Sequence, residues 1–143
     1  MHVRTVADAM TRDLVTVDIT DSTEEAARRM RENATGDVVV TDSGRMTGIL
    51  TDRDIVVRLV ADGLDTSTRV GEIVLTGVIT CPPDTDLADA VRLMKQHDIR
   101  RLPVVDRGTA VGILSLGDLA LLTDAGDLLA DISAAPDSET GMV

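Results

Sequence analysis

The chain is a tandem copy of itself, and no other feature limits its possible folds so strongly. Sliding the 143-residue sequence by 64 positions aligns residues 6 to 55 with residues 70 to 119 without a gap, and twelve aligned positions are identical. Val6/Val70, Thr16/Thr80, Met30/Met94, Gly48/Gly112, Leu50/Leu114 and Asp54/Asp118 are among them. A duplicated supersecondary unit that leaves an apolar face open in each copy buries that face against its neighbour. The expected layout is a first copy over 1–64, a second over 65–123, and a short helix with an acidic flexible tail over 124–143.

Each copy carries the same run of signals. In the second, Leu87, Ala90, Val91 and Met94 fall at i, i+3, i+4 and i+7, the apolar stripe of a three-turn helix, with Asp84 or Asp86 to cap it. The first copy has Thr23, Ala26, Ala27 and Met30 at those places, and Ser22 with Glu25 has the spacing of a capping box. Two apolar runs follow in each, "DVVVTDSGRMTGIL" and "RLPVVDRGTAVGIL", parted by Asp-Ser-Gly or Asp-Arg-Gly. Asp and Gly between β-branched runs predict a tight hairpin. Short strands near Leu14–Val17 and Val78–Thr80 and second helices near 53–62 and 116–122 complete a β-α-β-β-α unit, with Gly63–Thr68 as the linker.

Composition narrows the function. The chain has no Phe, Trp or Tyr, so a planar ligand must lie among aliphatic side chains, and base stacking on rings is excluded. A formal net charge of −11 opposes binding to nucleic acid or an anionic membrane. The lone Cys81 rules out an internal disulfide and is too little for a zinc cluster, which fits a reducing compartment. With no signal peptide and no apolar run of membrane-spanning length, the expected location is cytoplasmic.

The two copies end their last apolar run alike, in "GILTDRD" and "GILSLGD". A hydroxyl and a carboxylate three residues apart at a strand-to-helix junction make a good N-cap. The same geometry suits a ribose with its 5′ phosphate. The helix N-terminus and the hydroxyl offer donors to the phosphate, and the carboxylate accepts from two ribose hydroxyls.

The doubled Gly-Ile-Leu-(Thr/Ser)-x-x-Asp ending, taken with "MKQHDIRRLPVVD", resembles the cystathionine β-synthase (CBS) domain family, as a tandem pair over roughly residues 4 to 123. That resemblance implies an α/β (α+β) fold of two β-α-β-β-α repeats, packed through their sheets with pseudo-two-fold symmetry and binding adenosine derivatives in the clefts between them. It further implies that Asp118 holds the ribose, Ser115 meets ribose or phosphate, and Thr80, Ile99, Leu102 and Pro103 wall the adenine. Arg100 or Arg101 would neutralise phosphate. In the first copy Thr51 and Asp54 match, beside Arg53, with Thr16, Val38 and Val39 as the wall. Where the second copy has Arg100-Arg101, the first has Gly36-Asp37, and an acid there weakens phosphate binding. The second copy is therefore the preferred site.

Other features carry less. Cys81 reads as a buried structural thiol, His97 as a cation at a helix C-terminus, and Met10, Met30 and Met94 as core fillers. The Arg28-Arg29 and Arg31 face reads as solvated surface, and the two histidines lack metal-ligand spacing. No nucleophile-base-orienter set is visible, so no enzyme activity and no required cofactor are expected. The expected function is a regulatory module, implied to sense AMP, ATP or S-adenosylmethionine, to form a homodimer and to signal to a protein partner in stress or energy status. The alternative is a structural or dimerisation module with vestigial clefts, its Thr51 and Asp54 serving only as caps.

Overall fold

The structure, a computed structural model, describes residues 5–115. The expected helix at 116–122 and the tail from 124 lie outside the described residues, as does Asp118. The elements in chain order are α1 (Val6–Ala9), β1 (Thr16–Asp18), α2 (Thr23–Glu32), β2 (Asp37–Asp42), β3 (Arg45–Thr51), α3 (Asp52–Asp54), a π-helical segment (Ile55–Val60), α4 (Val70–Ile73), β4 (Leu75–Thr76), α5 (Leu87–His97), β5 (Arg101–Asp106) and β6 (Thr109–Ser115).

The duplication shows in three pairs of elements. Adding 64 to the limits of α1, β2 and β3 reproduces those of α4, β5 and β6. Both hairpins turn through two residues of positive φ, Ser43 (53°) with Gly44 (80°) and Arg107 (54°) with Gly108 (85°). That is the turn whose twist matches its flanking strands, and the Gly at its second position is what makes it cheap.

Two compact units emerge, and they interleave along the chain. Among the described residues, one joins 5–13 to Ile79–Arg107 and 111–115; the other joins Leu14–Val78 to Gly108–Ala110. The short leading helix of each copy is thus housed in the unit built on the other copy's hairpin. In the unit around β5 and β6, α1 is tied down by Val6 N–H to Thr85 O at 2.9 Å, and buried Val6 and Met10 join Leu87, Ala90, Val91 and Met94 of α5. In the unit around β2 and β3, Val70 N–H donates to Asp21 O at 2.8 Å, and Val70 and Ile73 enter the core with Val17, Ala26, Met30 and Leu50. This sharing explains the Gly48/Gly112 identity. A side chain at Gly48 would run into Leu75 O just beyond α4, and one at Gly112 into Met10 Sδ just beyond α1.

Within the first of these cores, α5 buries the four residues of its apolar stripe. Helix α2 is capped by Ser22, whose Oγ accepts from Glu25 N–H at 3.0 Å. The Glu25 carboxylate does not close the capping box; it pairs with Arg29 and Arg28 instead. Asp86 takes the N-cap position of α5 without a side-chain bond. Two further departures are local. Val78–Thr80 forms no strand: the parallel contact to β5 is a single bridge at Cys81–Val104, because Pro82 and Pro83 have no N–H to extend the ladder. The helix at 53–62 divides into α3 and a π-helical stretch, with Ala61 N–H reaching back five residues to Val56 O at 2.9 Å.

In the Leu14–Val78 unit the sheet runs β1-β2-β3-β4, with β1 parallel to β2 and the remaining pairs antiparallel. Strand alternation sends Val38 and Val40 into the core. Val39 is just as buried yet belongs to neither core cluster, and its repeat-mate Pro103 is buried too.

Candidate functional site

The hydroxyl-carboxylate pair of the first copy sits where β3 gives way to α3. Thr51 is the N-cap, in extended conformation. Asp54 N–H donates to Thr51 Oγ1 at 3.0 Å, and Thr51 N–H donates to Asp54 Oδ2 at 2.9 Å. The two side chains satisfy each other's backbone, which is the reciprocal N-terminal cap. Neither is used up by this. The Thr51 hydroxyl keeps its proton to donate, and Asp54 Oδ1 keeps its lone pairs.

The sheet register decides what surrounds the pair. Thr51 stands directly opposite Asp37, and Thr16 opposite Val39, so Thr16, Val39, Asp37 and Thr51 lie on three adjacent strands at one end of the sheet. Asp37 accepts from Thr35 Oγ1 at 3.3 Å. Arg53 is exposed on α3. Val38, expected in the ligand wall, has its side chain in the core at 1% exposure, so only its backbone could border a ligand.

The second copy repeats this frame with different chemistry. Arg101 opens β5 as Asp37 opens β2, and Ser115 closes β6 as Thr51 closes β3. Arg100 precedes it where the first copy has Gly36, placing two guanidinium groups at the strand start where the first copy has one carboxylate. Arg101 is exposed and Arg100 half-buried. Ile99 is half-buried against the core, Leu102 lies wholly inside it, and Thr80 is exposed beside Cys81. Leu102 is thus placed like Val38, as core. Pro103 and Val39 are buried as well.

A groove of about 360 Å³ runs beside β1 and α2, lined by Leu14, Val15, Thr16, Glu25, Arg29, Glu32 and Asn33. Of the expected residues it includes Thr16 alone. Arg29 spans it, donating to Glu25 Oε2 at 3.0 Å and to Thr16 O at 2.8 Å. The guanidinium holds the Glu25 carboxyl below its usual range. Its charge is largely committed within the protein, and the walls are polar. Sequence reasoning did not single out this groove, because it depends on which turn of α2 faces β1.

Cys81 is buried, and burial pushes its thiol up in pKa despite a hydrogen bond with Thr85. Among the described residues no group of three His, Cys, Asp or Glu is arranged to hold a metal ion, and no helix is long and apolar enough to cross a membrane.

Comparison with known proteins accords with the frame. The CBS domain family profile matches residues 6–61 and 70–124. The CBS domain-containing protein YhcV of Bacillus subtilis is 42% identical over 132 residues, covering 90% of this chain and 94% of its own. Hypoxic response protein 1 of Mycobacterium tuberculosis is 32% identical over 118 residues, 81% of this chain and 82% of its own. The crystal structure of a hexameric CBS-CP12 protein from bloom-forming cyanobacteria superposes with a TM-score of 0.72 at 30% identity, spanning 84% of this chain and 68% of that one. With matching segments over both copies, a hairpin frame repeated at a 64-residue offset and relatives of similar extent, this chain belongs to the CBS domain family and carries two CBS domains in tandem.

Proposed function

We propose that this chain is a regulatory CBS pair that binds an adenosine-containing ligand, AMP, ATP or S-adenosylmethionine, at the second copy and passes its occupancy to an oligomer or a protein partner. One observation carries this reading. The second copy keeps the β5-β6 frame that ends in Ser115 and substitutes Arg100-Arg101 for the Gly36-Asp37 that stands across from Thr51. That cationic start suits the phosphate of AMP or ATP, or the carboxylate of S-adenosylmethionine, each charge-assisted bond being worth about 1.5–3 kcal/mol. Pro103 and the half-buried Ile99 supply apolar contact for the base, Thr80 a polar edge, Ser115 a donor, and Asp118 the ribose acceptor. In the first copy, Thr51, Asp54 and Arg53 retain part of the pattern beside Thr16 and Val39, while Asp37 opposes an anion.

Thermal unfolding with each ligand near 1 mM tests this, since a ligand at a hundred times its Kd adds about 2.7 kcal/mol to the native state. A rise in Tm with one of the three, lost in Asp118→Ala and in Arg101→Ala while the unliganded Tm holds, is the expected result. No rise with any of them would refute ligand sensing at this site. The reading without a ligand, a structural module, is favoured by the reciprocal cap at Thr51 and Asp54, which gives that pair a complete structural role.

A homodimer is part of the proposal, supported by the hexameric assembly of the similar CBS-CP12 protein. A role in stress signalling belongs to the same reading and is supported by the likeness to Hypoxic response protein 1, and a cytoplasmic location is proposed with it.

A further inference from the structure

The groove beside β1 and α2 has no part in the nucleoside reading, and its polar side chains follow one face of α2. Glu25, Arg29, Glu32 and Asn33 fall at i, i+4, i+7 and i+8, a single stripe of the helix and its C-cap. The protein matches some of these groups and leaves others open. Glu25 holds Arg29 at 3.0 Å. Arg28, four residues before Glu32 and spaced to reach it, turns instead to Glu24 at 3.2 Å and Glu25 at 3.6 Å. Among the described residues Glu32 therefore has no cation beside it, and it stands in the last turn of α2, where the helix dipole disfavours a carboxylate. Arg29 gives one N–H to Glu25 Oε2 and one to Thr16 O, and the rest of its five N–H groups stay open. Asn33 donates its amide N–H to Arg29 O at 2.8 Å, which leaves its Oδ1 as an acceptor.

We infer that this groove binds the zwitterionic head of a free α-amino acid, its carboxylate on the Arg29 guanidinium and its ammonium between Glu32 and Asn33 Oδ1. Residues three and four apart on a helix stand about 5–6 Å from each other, a span that an ammonium and a carboxylate on one carbon can bridge. The ammonium supplies the countercharge that Glu32 lacks, and the carboxylate takes up the N–H groups that Arg29 still presents. A plain amine would leave the guanidinium facing a like charge, and a plain acid would meet Glu32. The space of about 360 Å³ holds one such molecule with water, and its polar walls favour a short or polar side chain. The site is independent of the nucleoside reading, since the side chains of Glu25, Arg29, Glu32 and Asn33 have no role there.

Isothermal titration calorimetry on the full chain tests the assignment, with L-alanine, L-serine and L-glutamine as probes and with ethylamine and propionate as the two halves of alanine. The amino acids are expected to bind with Kd values of about 0.1–1 mM, as befits ligands of so few atoms, and each half to bind at least about tenfold more weakly than alanine. Glu32→Gln removes a charge that nothing in the protein pairs, and is expected to weaken alanine about tenfold or more while Tm stays unchanged. Arg29→Lys, which keeps the charge beside Glu25 and loses the planar fork, is expected to weaken alanine as well. Absence of binding by all three amino acids at about 10 mM overturns the site. Undiminished affinity in Glu32→Gln overturns the placement of the ammonium, and ethylamine binding as tightly as alanine overturns the amino-acid class in favour of a plain cation. Should Arg29→Lys fail to fold, the comparison of alanine with ethylamine decides the carboxylate contact by itself.

Discussion

Residues 14–78 are expected to fold by themselves, and residues 1–64, the first repeat as the alignment bounds it, are not. Both fragments hold α2, β2, β3 and the π-helical segment, but only 14–78 holds α4 and β4. Val70 is fully buried and Ile73 is 5% exposed in the core that those elements share. Burying such a side chain contributes about 1.5–3 kcal/mol, so the pair contributes about 3–6 kcal/mol. A domain of this length has a net stability of about 3–10 kcal/mol, at 0.05–0.15 kcal/mol per residue. Loss of α4 therefore removes most of the margin, and with it the bonds from Val70 N–H to Asp21 O and from Gly71 N–H to Ile19 O. Urea titration followed by far-ultraviolet circular dichroism reads the outcome, since the chain has no Trp or Tyr. A cooperative transition for 14–78 and none for 1–64 is expected; equal stability, or a folded 1–64 alone, would show that the leading helices are not what completes the units.

Thr51→Ala removes the acceptor for Asp54 N–H and is expected to cost about 1 kcal/mol, seen as a Tm lower by several degrees, while Thr51→Ser keeps most of the stability. Gly112→Ala forces Met10 and Thr11 away from β6 and is expected to destabilise by about 1–3 kcal/mol in denaturant titration. The pH dependence has two limbs. Burial raises the folded pKa of Cys81, so the unfolded chain loses that proton first; stability holds below the ordinary thiol range and falls as pH rises above it, a fall that Cys81→Ala abolishes. Glu25, held low by Arg29, acts in the opposite sense: its contribution is present above the ordinary carboxylate range and disappears as pH falls through the lowered value, which Glu25→Gln removes from the acid limb of a Tm-against-pH curve.

The sequence by itself determined whatever depends on neighbours along the chain. The apolar period placed Leu87, Ala90, Val91 and Met94 on the buried side of α5, because a helix face is set by spacing alone. Asp-Ser-Gly and Asp-Arg-Gly specified both hairpin turns, since the φ values of a two-residue turn are local demands on residue type. The spacing of Thr51 and Asp54 specified their cap for the same reason. Only the tertiary structure decided which unit each leading helix completes, because the alignment that reveals the repeat is blind to which hairpin a short helix crosses; Gly48 and Gly112 carried the trace of it, but a glycine does not say what approaches it. Tertiary packing also sent Val38 and Leu102 into the cores and left Val39 off them. Which sides of a strand are covered depends on segments remote in the chain, and short all-apolar strands such as Val38–Val40 have no polar alternation to announce it.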